Sequence, residues 1–287
     1  NLGIHFAKRD INLHRISYPS NYIAFIRDKI KSERFRKNNG KMKDTEKFFL
    51  DEIMFFRLAT SSPFAFYNSA KFKDCKQEVE ELISDLNDQK LKTLLSIASH
   101  KSDERLIIFC EFINTLKYIE KNLPSERKVY CISGEIMLAR RIELFEKFKK
   151  DETGILILTS VGSEGIDLQF CSTVINYDLH WNPMKLEQRI GRIDRVGQKK
   201  DTISIHNLMI ANSIDEHILL KLQDKLKMIE NTIFSPKDIL ESIDVDEELA
   251  KRLKEEEQEV MDELKLYFSD IFEKEEEKAR RHISVYD

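Results

Sequence analysis

The chain has 287 residues, 41% of them hydrophobic and 9% aromatic, which is enough to close one large domain or two modest ones around a core and excludes a disordered chain. Its 34% charged residues sum to a net charge of only −4, but 17 acidic and 8 basic side chains fall from Glu241 onward, so the body ahead of them is mildly basic. No apolar run reaches the ~20 residues of a membrane span and no signal peptide opens the chain, so a soluble, cytoplasmic protein without membrane partners is expected.

The first residue is Asn1 rather than methionine, which suggests a fragment of something longer. The first hundred residues read as helical, with no defensible strand. Ile16 to Ile30 carries a Pro19-Ser20 start signal and then Tyr22, Ile23, Phe25, Ile26 and Ile30 at helical spacing. The run Arg27 to Lys43, with 8 basic and 2 acidic side chains, can neutralise phosphates or can be an ordinary solvated helix face. Glu46 to Thr60 predicts a second helix, ended by Ser61-Ser62-Pro63. Cys75 to Leu86 predicts a third, and Gln89 to His100 a fourth.

At Arg105 the character changes. Leu106 to Cys110 is a continuous apolar run suited to a strand buried on both faces, and Ile113 to Leu123 a helix after it. Val129 to Ile132, Gly154 to Leu158, Val174 to Tyr177 and Thr202 to Leu208 predict four more strands, with Leu138 to Lys150 helical between the first two. Strands alternating with helices imply an α/β fold, a parallel doubly wound sheet with its ligand sites at the carboxyl ends of the strands. Ser133-Gly134, Thr159 to Asp167 and Asp178 to Pro183 fall at such ends. Further on, Ile214 to Ile229 predicts an amphipathic helix. After Ser235-Pro236, Val245 to Arg281 runs without proline or glycine as an acidic helical extension. The four cysteines, Cys75, Cys110, Cys131 and Cys171, show no CxxC pairing and read as reduced thiols. His180 and His206 lack metal-ligand spacing, and no metal site is expected.

The segment Gln188 to Gln198, QRIGRIDRVGQ, follows a helix-start signal at Asn182-Pro183 and sets Arg192 and Arg195 three positions apart. On a helix such a pair shares one face, so two permanently charged guanidinium forks can reach one anion such as a triphosphate. The alternative is a solvated basic helix. In the loop after the third strand, Gly162 and Gly165 permit close backbone approach, and Asp167 can accept a hydrogen bond from ribose, fix a motif arginine or simply form a turn. At the end of the second strand, Ser133 and Gly134 offer a hydroxyl and backbone N–H groups to a phosphate. Arg141, on the helix that follows, can reach the same strand of nucleic acid or make a surface ion pair.

The order LIIFCEF, VYCISGEIMLARRIELFEKF, TSVGSEGIDLQF, VINYDLHWNP, QRIGRIDRVGQ resembles the second RecA-like lobe of superfamily 2 helicases. Within them it is most similar to the SWI/SNF-type ATPases of the bacterial RapA (HepA) branch. The resemblance covers roughly residues 89 to 232. It implies a RecA-like C-terminal lobe at 89–232; the helical segment at 1–88 resembles, more weakly, the linker the family places ahead of this lobe, and the acidic helical tail at 233–287 resembles nothing in the family. In such ATPases the nucleotide lies between two lobes, and arginines of the second stabilise charge on the transferring phosphoryl group. The resemblance therefore implies Arg195 as an arginine finger, Arg192 as a γ-phosphate contact, and Gln188, Gly165 and Asp167 near the nucleotide. It also implies Thr159 and Ser160 as nucleic-acid backbone contacts, beside Ser133, Gly134 and Arg141, with Trp181 packing the lobe and bordering the nucleic-acid path.

No GxxxxGK[ST] is present, and Asp51-Glu52-Ile53-Met54 lies in a helical pattern rather than at a strand end. ATP and Mg are accordingly expected to be bound mainly by a missing N-terminal RecA-like lobe, and this chain alone to be inactive. The implied function is the C-terminal motor lobe of an ATP-dependent double-stranded DNA translocase, with duplex DNA, the first lobe and RNA polymerase or another complex as partners. Two alternatives stand beside it. One is a non-catalytic α/β protein-binding module. The other is a lobe of an RNA helicase, whose usual motif has histidine where this chain has Gln188.

Overall fold

A computed structural model describes residues 7–37, 46–68, 87–159, 166–180, 183–195, 197–211, 213 and 216. The predicted helices at 75–86, 214–229 and 245–281 lie outside the described residues. One compact unit holds residues 1–180 and 185–219; a second, 181–184 and 220–287, contributes only Pro183 and Met184 to the described set.

Six parallel strands make one sheet: β1 (Lys8–Ile16), β2 (Leu106–Cys110), β3 (Val129–Ile132), β4 (Ile155–Thr159), β5 (Thr173–Asn176) and β6 (Thr202–Ile210), ordered β1-β6-β5-β2-β4-β3. The helices are α1 (Ser20–Lys37), α2 (Glu46–Ser61), α3 (Pro63–Tyr67), α4 (Gln89–His100), α5 (Ile113–Asn122), α6 (Leu138–Lys150) and α7 (Pro183–Gly191). Every residue of β2, β4 and β5 is buried, as expected of parallel strands covered on both faces. One face packs Ile107, Phe109, Leu156, Leu158 and Val174 with Phe148 of α6 and with Ile190 and Ile193 at the end of α7.

Helix boundaries have local causes. Asp88 caps α4 by accepting the Leu91 N–H at 3.0 Å, and its other oxygen accepts the Tyr118 hydroxyl at 2.9 Å. Ser62 separates α2 from α3: a residue before proline is driven out of the helical region, and its hydroxyl caps α3 through the Ala65 N–H at 2.9 Å. Tyr22 and Ile26 of α1, Phe55 and Phe56 of α2 and Phe66 of α3 are buried together, with the Tyr22 hydroxyl donating to the Ala59 carbonyl at 2.9 Å.

Strand β1 corrects the expectation of a strandless N-terminal half, whereas the first helix starts at Ser20, at the expected Pro19-Ser20 signal. The strand pairs with β6 in register Arg9↔Ile203 to Ile16↔Ile210. Of its apolar residues only Ile16 is buried: Ile11 is 58% and Leu13 44% exposed, whereas the polar Arg9 and His14 are half-buried. What holds this edge strand is polar contact with sequence-distant groups, which hydrophobic patterning does not register.

Connections β2–α5–β3 and β3–α6–β4 run to one side of β2, whereas β5–α7–β6 runs to the other. The carboxyl ends of β2 and β5 are therefore the topological switch point, where sheets of this kind open a crevice.

Candidate functional site

The switch-point crevice is filled by the chain itself. Asp178, two residues past β5, is buried; its Oδ1 accepts Lys90 Nζ at 2.9 Å, and its Oδ2 accepts the Ser61 hydroxyl at 2.8 Å and the Glu111 N–H at 2.9 Å. Lys90, fully buried on α4, also donates to the Thr60 carbonyl at 3.0 Å and lies 4.5 Å from the Tyr177 ring centroid. Ser61 reaches the Thr115 hydroxyl at 2.7 Å, and Arg57 donates to the Leu179 carbonyl at 3.1 Å. A charge this deep is tolerable only when paired and hydrogen-bonded, and this network meets that condition. Asp178, in a loop expected to carry function, is thus structural, and it ties α2, α4 and α5 to the sheet.

The same loop anchors α7. Arg189 is buried: it donates to the Asp178 carbonyl at 3.0 Å, pairs with the Glu111 carboxylate, and stacks its guanidinium 5.0 Å from the Phe109 ring centroid. Sequence reasoning passed over this arginine. The available signal was its place beside Leu186, Ile190 and Ile193, a buried stripe at helical spacing.

Helix α7 ends at Gly191, so Arg192 and Arg195 do not share a helical face, as the spacing had implied. The chain tightens into a turn there: Ile193 N–H and Asp194 N–H both reach the Ile190 carbonyl at 2.9 Å. Beyond the turn, Gly197 adopts φ +103°, a left-handed backbone that a side chain resists; a Cβ there would also meet Gln169 Oε1 at 3.2 Å. Gln198 staples the turn by donating to the carbonyls of Cys171 (2.9 Å) and Ile193 (3.1 Å).

This turn lies against residues 166–171. Leu168 N–H donates to the Arg192 carbonyl at 3.1 Å, and Arg192 Nη1 reaches the Ile166 carbonyl at 3.4 Å. Arg192 is half-buried, Arg195 and Gln188 are exposed, and Asp167 is exposed with its carboxylate accepting the Gln169 N–H at 3.2 Å, a turn-forming contact. Gly165, Ser160 and Trp181 lie outside the described residues, as does Gly162.

Arg9 of β1 braces the same turn from outside. Its Nη1 lies 2.8 Å from Glu187 Oε2 and its Nε 2.8 Å from Asp194 Oδ2, both carboxylates being buried. Burial opposes charge on Arg9, but Glu187 and Asp194 outweigh it and hold the guanidinium pKa above its ordinary value.

The remaining predicted residues form a separate group on the carboxyl edge of the sheet. Ser133 is buried just past β3, and its carbonyl accepts the Ile136 N–H at 3.2 Å; Gly134 is exposed. Arg141 reaches back to the carbonyls of Ile136 (2.6 Å) and Gly134 (2.8 Å), so it shapes this loop rather than making a surface ion pair. Helix α6 begins after Met137 without a side-chain cap, which leaves its first N–H groups to other acceptors. Thr159 is buried at the end of β4, level with Cys110. His180 is buried, and His206 sits with its Nδ1 3.0 Å from His14 Nε2.

Residues 88–197 match the model of the helicase conserved C-terminal domain family. The chain is similar to the uncharacterized ATP-dependent helicase YqhH of Bacillus subtilis, 39% identical over 146 residues, which cover 50% of this chain and 26% of YqhH. It is also similar to the RNA polymerase-associated protein RapA of Actinobacillus pleuropneumoniae, 30% identical over 149 residues, covering 50% of this chain and 15% of RapA. The chain thus spans about a quarter or less of these relatives. Among solved structures, the Sulfolobus solfataricus SWI2/SNF2 ATPase core in complex with dsDNA superposes with a TM-score of 0.53 at 18% identity, over 78% of this chain and 46% of that one, a likeness of fold.

Proposed function

We propose that this chain, whose residues 88–197 match the helicase conserved C-terminal domain family, is the C-terminal motor lobe of an ATP-dependent translocase on double-stranded DNA, built as the second RecA-like lobe of a SWI/SNF-type ATPase. Arg195 is the arginine finger and Arg192 the second phosphate-directed guanidinium, with Gln188, Gly165 and Asp167 bordering the nucleotide. The observation that carries this reading is the contrast among the three motif arginines. Arg189 is consumed in the core by Asp178, Glu111 and Phe109, Arg192 is half-buried against Ile166, and Arg195 is exposed on a turn held by Leu168, Gln198 and Arg9. An exposed guanidinium on a rigid mount is the arrangement that delivers charge to a transition state without reorganisation.

ATP is the substrate, and its magnesium is assigned to the first lobe. No group of three His, Cys, Asp or Glu side chains converges as a metal site among the described residues of this one. The first lobe also supplies the Walker lysine that this chain lacks, so the chain alone is inactive. Duplex DNA runs along the carboxyl edge past Ser133, Gly134 and Arg141, with Thr159, Ser160 and Trp181 bordering its path. The α6 N-terminus with its uncapped N–H groups suits a backbone phosphate. Likeness to an RNA polymerase-associated protein makes RNA polymerase the partner to test for the whole protein.

The test is ATPase activity of the two-lobed protein with duplex DNA, single-stranded RNA or neither. Stimulation by duplex DNA that disappears in Arg195→Ala supports the reading. Stimulation by RNA alone assigns the lobe to an RNA helicase, and no dependence on Arg195 leaves a binding module.

A further inference from the structure

The arginine turn is held by a residue about 180 positions away in sequence. Arg9 grips Glu187 and Asp194 with two nitrogens of one guanidinium, each at 2.8 Å. These carboxylates immediately precede Gln188 and Arg195, one on α7 and the other on the turn beyond its end. A planar fork bound to both fixes the angle between helix and turn, which a point charge cannot do. Without the fork, the single guanidinium that links Glu187 to Asp194 is lost, and the angle between helix and turn is no longer set by it. The placement of Arg9 is set in turn by the parallel register of β1 on β6, where Arg9 stands opposite Ile203. A slip of one residue would carry the guanidinium to the other face of the sheet, and a slip of two would displace it by roughly 6.6 Å, beyond both carboxylates.

We propose that Arg9 is a positioning residue for Arg195, and that strand β1 is an external brace whose register sets the aim of the arginine finger. This inference rests on the reading of Arg195 given above. Arg9 touches no substrate and acts only through Glu187, Asp194 and the turn they anchor.

In the protein that carries both lobes, Arg9→Ala lowers kcat about 10- to 100-fold at saturating duplex DNA, as sub-ångström misplacement of a reacting group does, while the KM for ATP changes less than about twofold. Arg9→Lys, which keeps the charge and loses the fork, recovers part of that loss. Arg15→Ala, which breaks an exposed ion pair with Glu216 at the far end of the same strand, leaves kcat unchanged. The discriminating measurement is the double variant: Arg9→Ala adds no further loss in an Arg195→Ala background, because the brace has nothing left to aim, whereas general destabilisation would lower activity in both backgrounds. Hydrogen exchange at residues 192–198 rises in Arg9→Ala and not in Arg15→Ala. Wild-type kcat in folded Arg9→Ala overturns the proposal. If that variant does not fold, full activity in Arg9→Lys overturns it, since a single charge would then suffice. Loss of activity in Arg195→Ala alone, with Arg9 variants unaffected, removes the brace and keeps the finger. Wild-type activity in Arg195→Ala removes the reading of the site itself.

Discussion

Lys90 Nζ lies 2.9 Å from Asp178 Oδ1 in the interior, the ammonium on α4 and the carboxylate just beyond β5, where the topology alone would have opened a ligand crevice. Ser61 of α2 and Lys90 of α4 therefore close this switch point around Asp178.

That pair should be hard to break on one side. Lys90→Met leaves Asp178 buried without its cation and is expected to destabilise the chain by about 3–5 kcal/mol in urea unfolding. The Lys90→Met, Asp178→Asn double variant should be less damaging than the two single losses combined. A single-variant loss below about 1 kcal/mol would show that water or a rearranged neighbour takes over.

The histidine pair on β1 and β6 should make folding pH-dependent. Burial first, and then the adjacent His14 and Lys101 against Asp10 and Glu104, lowers the His206 pKa to about 4; burial also lowers that of His14. A histidine depressed in the fold titrates first in the unfolded chain. Its contribution is complete above about pH 6.5 and is lost as pH falls toward 4. Because His206 keeps partial solvent access, the expected loss is only about 1–2 kcal/mol. The difference between wild-type and His206→Gln melting curves across that window measures it, and parallel curves would contradict it.

Gly197→Ala should destabilise by about 1–2 kcal/mol, since alanine resists φ +103° and its Cβ crowds Gln169. If the turn is also the mount of Arg195, ATPase of the two-lobed protein falls more than the change in melting temperature explains. Equal and small effects on both would mean that the turn tolerates the strain.

Much of this architecture was legible in the chain. Leu106–Cys110 and Ile155–Leu158 are short uninterrupted apolar runs, of the length expected of strands covered on both faces. Strand β1 was not legible, because it is an edge: its Ile11 and Leu13 face solvent, and its hold on the fold lies in partners such as Asp194 and His206. The three motif arginines look alike in sequence, and only packing against Phe109 and Glu111 separates Arg189 from Arg195. Lys90 did leave a trace. It falls on the stripe 90, 94, 98 with Leu94 and Ala98, a lysine on the buried face of an amphipathic helix, which requires a buried anion.

The proposed role of Arg195 is the one on which the others depend. Single-turnover ATP hydrolysis by the two-lobed protein, with ATP affinity measured in parallel, tests it most directly. Arg195→Ala is expected to slow hydrolysis by roughly three to five orders of magnitude with little change in ATP binding, the signature of a group that acts in the transition state. An unchanged hydrolysis rate, or a loss confined to ATP affinity, would contradict it.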